Sequence, residues 1–132
     1  MSLEVAIARW VAVFWVVFGL SHVLHARLWT QMLMPLRKKP DGGFWLALIS
    51  FPLALFIVVG HNVWVWDIPV IVTVAGWATT IKCTMYVFFP RSHTAVMSVG
   101  GQVKHPERGF RIVGTVMVVL GLVVGYDAFF RR

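Results

Sequence analysis

His22 and His25 stand three residues apart, close enough in helical phase to share one side of a helix, with Trp15 and Gly19 on the same stripe. Neutral imidazole is the commonest metal ligand and can ligate haem axially. The pair is therefore the chain's candidate cofactor-binding position, for haem or another metal-centred tetrapyrrole. Two ligands on one turn do not complete a site. A third would have to come from His93 or His105, from Met32 or Met34, or from the thiol of Cys83. The competing reading is structural. Both histidines fall at the end of the first apolar run, where an imidazole can hydrogen-bond water or lipid phosphate at little cost. That reading is preferred, and no resident cofactor is expected.

Lys82 is the other telling residue, because ionisable groups inside an apolar span are costly and usually functional. Pro90 lies eight residues on, about 12 Å of helix at ~1.5 Å per residue. A lysine stem can cover much of that distance by snorkelling. The remaining readings are a lipid headgroup, a partner carboxylate, or an anion in a small homodimeric channel or carrier. All five acids, Glu4, Asp41, Asp67, Glu107 and Asp127, stand at the ends of apolar runs or between them, which disfavours a proton-coupled antiporter with a deep carboxylate. The sequence has no nucleophile, base and acid set, no phosphate-cradling glycine loop and no zinc spacing, so an enzyme is not expected.

The elements that position these residues follow from composition. Of 132 residues 59% are apolar and 13% charged, with a net charge of +7, which argues against disorder and against an ordinary soluble domain. No formal charge falls between Arg9 and Arg27, Asp41 and Asp67, Asp67 and Lys82, or Arg111 and Asp127. A membrane-crossing helix needs about 20 mainly apolar residues. The third span meets this only with Lys82 inside it, from about 68 to 89. The fourth needs its flanks, from about 110 to 130. The expectation is an all-α, four-transmembrane-helix bundle forming one integral membrane domain over 1–132. The first helix carries no basic leader or cleavage site and is read as retained. Cys83, as the single cysteine, excludes an internal disulfide.

Seven of the twelve Lys and Arg residues fall in the two long connections, 26–43 and 90–109, while 61–67 has none. Positive short loops stay cytoplasmic, so both termini are expected on the periplasmic side. The excess charge then attracts anionic headgroups and is no nucleic-acid footprint. Trp10, Trp45, Trp64, Trp66 and Tyr126 suit an interfacial belt. Leu28, Trp29, Met32 and Leu33, with Arg27 just before them and Gln31 among them, have the pattern of an interfacial helix.

Small residues mark close helix contacts in lipid. Gly76, Thr80 and Thr84 form one such face on the third span, and Gly114, Gly121 and Gly125 another on the fourth. They are expected to pack these two helices together or to dock a partner. The halves also share a plan: Pro40-Asp41-Gly42-Gly43-Phe44 lines up with Pro106-Glu107-Arg108-Gly109-Phe110. This reads as two tandem hairpins, about 5–62 and about 66–130. Gly19-Leu20-Ser21-His22-Val23-Leu24-His25-Ala26-Arg27-Leu28-Trp29 resembles the end of the first helix in the short two-helix bacterial inner-membrane proteins of the YjeT type. Pro106-Glu107, Phe110-Arg111, Gly114 and Gly121 resemble that family's second-helix entry and glycine repeat. Trp45, Cys83 and His93 depart from the pattern. The resemblance implies a bacterial inner-membrane location and a hairpin fold, and no activity. The functional expectation is a non-catalytic accessory or stabilising subunit that associates with other membrane proteins or with itself.

Overall fold

A computed structural model describes residues 1–92 and 105–132. Its helices are α1 (Leu3–Leu24), α2 (Ala26–Lys38), α3 (Gly42–Gly60), α4 (Pro69–Phe88) and α5 (Pro106–Tyr126). The last runs on into a π-turn, Asp127–Arg131. No strand occurs among the described residues. Four of these segments, α1, α3, α4 and α5 with its π-turn, are long and apolar enough to cross a membrane.

Local chemistry sets the ends. The Ser2 hydroxyl caps α1 by accepting from the Val5 N–H at 3.3 Å, and Glu4 in the first turn complements the helix dipole. Pro69 and Pro106 open α4 and α5, where a missing N–H costs nothing. His25, with φ −121° and ψ 39°, breaks the chain between α1 and α2. Helix α2 is strongly amphipathic, with Leu28 and Met32 exposed; it packs chiefly on α5 and on α3.

The spans associate as α1 with α5 and α3 with α4. This differs from the pairing expected of two sequence hairpins, in which α1 would lie on α3 and α4 on α5. Connection length accounts for half of the difference. The short 61–67 turn forces α3 and α4 to be antiparallel neighbours, whereas the long connections leave the other partners free. Complementary small residues account for the rest. A Cβ on Gly114 would lie 2.6 Å from the Gly19 carbonyl oxygen, and one on Gly19 would lie 2.7 Å from that of Gly114. Around Gly121 the neighbours are Val16 and Ala12, so the glycine face of α5 is filled by α1. A Cβ on Gly76 would lie 2.6 Å from Ile57 Cγ2, so the α4 face is filled by α3. The expected α4–α5 contact through these glycines is thereby corrected. Thr80 and Thr84 donate to the carbonyls of Gly76 and Thr80, each at 2.8 Å, and use their hydroxyls within α4. Ile7, Val11, Val72 and Val124 join the two helix pairs at one end of the bundle.

Candidate functional site

The most developed polar structure is a cap over the end of the bundle that carries both termini and the 61–67 turn. His61, which ends α3, and Thr73, on α4, are both buried. The Thr73 hydroxyl donates to the Val63 carbonyl at 2.9 Å and accepts from the Val63 N–H at 3.0 Å. Its remaining role toward His61 Nδ1, 3.1 Å away, is as acceptor, which places the imidazole proton on Nδ1. Beside this node the Asn62 side-chain oxygen accepts both indole N–H groups of Trp64 and Trp77, at 2.8 and 3.0 Å.

The C-terminus closes the same end. Asp127 is buried and receives Arg131 at 2.9 Å and Arg132 at 3.1 Å. Both arginines also reach Asp67, at 3.3 and 3.8 Å, tying the π-turn to the inter-helix turn. The backbone N–H of Ile68 and then Arg131 hold the Asp67 carboxyl below its ordinary range. Arg9 Nε donates to the Ala128 carbonyl at 2.8 Å, and its guanidinium lies 4.9 Å from the Phe129 ring centroid. None of these contacts was singled out from the sequence. The only signal in the sequence is that Arg131 and Arg132 follow Asp127 at the same end of the chain.

At the opposite end His22 is held by packing. Its Nδ1 lies 2.6 Å from the Phe18 carbonyl, which can only accept, so Nδ1 carries a proton. The ring stacks on Trp29 at 4.0 Å and lies 5.8 Å from Phe110, over which Arg37 sits at 5.5 Å. Trp29 in turn donates to the Ser21 hydroxyl at 3.0 Å. A ladder of rings on α1, Trp10, Phe14 and Phe18, with centroids 5.6 and 4.4 Å apart, reaches His22 through Trp29, whose ring lies 6.1 Å from that of Phe18. His25 lies exposed beyond the end of α1, so the uninterrupted helix assumed for the pair stops between them. Cys83 is buried with Ala47 and Tyr86 between α3 and α4. His93 lies outside the described residues. Among the described residues no three His, Cys, Asp or Glu side chains come together as a metal set.

Lys82 lies exposed on the outer face of α4, with no ion-pair partner among the described residues. Six residues of helix, ~9 Å, separate it from Phe88 at the end of the span.

No protein-family model matches the chain, and no curated protein or solved structure matches it.

The cap has one consequence for acid stability. Burial lowers the affinity of His61 for a proton below its ordinary 6.5, and Arg132 adds to the lowering; a backbone hydrogen bond and Glu4 oppose it without reversing it. The unfolded chain therefore takes up a proton that the folded chain refuses as pH falls below 6.5. Stability present above that pH is lost as pH falls toward the folded value. Thermal unfolding in detergent between about pH 7.5 and about pH 5.5 should show a falling midpoint, and His61→Gln should flatten that fall. An unchanged slope in the variant would assign the acid sensitivity to another group.

Proposed function

We propose that the protein is a non-catalytic, multi-pass membrane protein that serves as an accessory or stabilising subunit of a larger membrane assembly. The observation that carries this reading is Lys82, a cation within a span, exposed on the outer face of α4 and without a counter-ion among the described residues. A charge placed there is an address for an anion of another molecule, and a carboxylate of a neighbouring subunit meets that need within the membrane. The glycine faces are filled by the chain's own helices, so docking uses the bulky outer surface. In the same reading α2 lies along the cytoplasmic interface, the termini and the 61–67 turn are periplasmic, and the chain descends from a duplicated hairpin of the YjeT type in a bacterial inner membrane.

Affinity purification of the full chain in a mild detergent should recover a stoichiometric membrane-protein partner. Removing one member of a desolvated charge pair costs about 2–5 kcal/mol, so Lys82→Gln should reduce recovery at least about tenfold while Lys82→Arg retains it. A chain that migrates alone in every mild detergent and in native-membrane discs overturns the proposal. Recovery that is indifferent to Lys82→Gln removes Lys82 from the interface.

A further inference from the structure

Midway along the spans, α1, α3 and α4 leave a cavity of about 180 Å³. Its lining lies at 10–15 of α1, 50–57 of α3 and 75–79 of α4, near the centre of each helix. An apolar cavity of about 150 Å³ holds a benzene ring, so this space matches one substituted six-membered ring. Trp10, Phe14 and Trp15 supply flat aromatic walls on one side.

Three polar groups distinguish this space from a gap between helices. Ser50, Thr79 and Trp15 line it, and none of their side chains makes a hydrogen bond within the described residues. That is unlike Thr80 and Thr84 next to them, which satisfy their hydroxyls on the helix backbone. At this depth the bilayer offers no water to hydrogen-bond them. The three donors come from three different helices, so an occupant that satisfies more than one needs acceptors at separated positions on a rigid frame. No charged side chain lines the cavity, which excludes an ionised headgroup. A plain acyl chain fills the volume but carries no acceptor. Trp10 and Leu53, both exposed, mark a mouth through which a tail can leave toward lipid.

We infer that the cavity between α1, α3 and α4 is a binding site for the ring of a neutral, lipid-soluble carbonyl compound of the quinone class, with Ser50, Thr79 and Trp15 as donors to its oxygens. The site needs no partner protein and stands or falls separately from the subunit role proposed above.

The test is a fluorescence titration of the purified full chain in detergent with a benzoquinone bearing a decyl tail, using decylbenzene as the ring and tail without oxygens. The expected result is saturable quenching by the quinone. Decylbenzene, which does not itself quench indole, is read by competition and should need at least about tenfold higher concentration to reverse that quenching, on the order expected for loss of two hydrogen bonds. The double variant Ser50→Ala with Thr79→Val keeps the packing and should weaken quinone binding about tenfold. Ala54→Leu should fill the space and abolish saturation; where that variant fails to fold, the double variant decides. Equal affinity for decylbenzene, quenching that never saturates, or quinone affinity unchanged in the double variant would each overturn the assignment.

Discussion

Replacing Gly114 with alanine is expected to destabilise the folded chain by about 2 kcal/mol, although the same change in an isolated helix would stabilise it by about 1 kcal/mol. The new Cβ would sit 2.6 Å from the Gly19 carbonyl oxygen and 2.7 Å from His22 Cβ. Neither neighbour is the free end of a flexible side chain. The first is backbone of α1, and the second is the root of a ring held by Trp29 and by the Phe18 carbonyl. Relief therefore requires α1 and α5 to move apart. In lipid that separation is costly because close packing, not hydrophobic expulsion, holds helices together. Gly125 supplies the internal control. Its Cβ would meet Ala12 Cβ at 3.5 Å, an ordinary contact, so Gly125→Ala keeps the propensity gain and should be neutral or slightly stabilising. Thermal unfolding of both variants in one detergent, followed by helical circular dichroism, separates the two. Equal stability of Gly114→Ala and the parent would mean that α1 and α5 do not meet at these glycines.

The four spans were legible in the sequence for a physical reason. A backbone in hydrocarbon must satisfy itself, so the charge-free intervals had to be helices. Counting Lys82 inside the third span placed it at about 68–89, against Pro69–Phe88 in the structure. Partner choice was not legible. A glycine stripe says where a backbone can be approached and not by which helix. Gly19, the residue that selects α1 as the partner of α5, stands alone on its helix and forms no glycine stripe. Trp10, Phe14, Phe18 and His22 stand at intervals of four, a spacing that marks a common helix face without saying that the rings stack. The arginine–aspartate closure was the least accessible. Asp127 is buried where the chain widens into a π-turn, with the Arg132 N–H reaching the Asp127 carbonyl at 3.1 Å, and no local residue pattern announces that widening. Cavities between helices are likewise set by packing, so Ser50 and Thr79 gained meaning only once α1 lay against both α3 and α4.

Thr73→Val is expected to cost about 3–5 kcal/mol, a larger loss than any packing change at the same position. Valine replaces the hydroxyl with a methyl of similar size, so almost no cavity forms and the effect isolates hydrogen bonding. The Thr73 oxygen has three partners at a fully buried position: the Val63 carbonyl, the Val63 N–H and His61 Nδ1. The substitution strands two donors and one acceptor, and each buried orphan costs about 1–3 kcal/mol. Water can relieve part of this, because the 61–67 turn lies at the end of the bundle, and so the total falls short of the simple sum. Thr73→Ser keeps the hydroxyl and removes only a methyl, for a loss of about 1 kcal/mol. Chemical unfolding of the two variants in detergent, with hydrogen exchange at the Val63 amide, tests the node directly. Valine should unprotect that amide and serine should not, since the hydroxyl is the acceptor on which the N–H depends. If the two variants are equally stable, the node does not hold the α3–α4 turn. His61 must then be kept in place without the Thr73 hydroxyl, and the acid sensitivity assigned to it would survive in Thr73→Val unchanged.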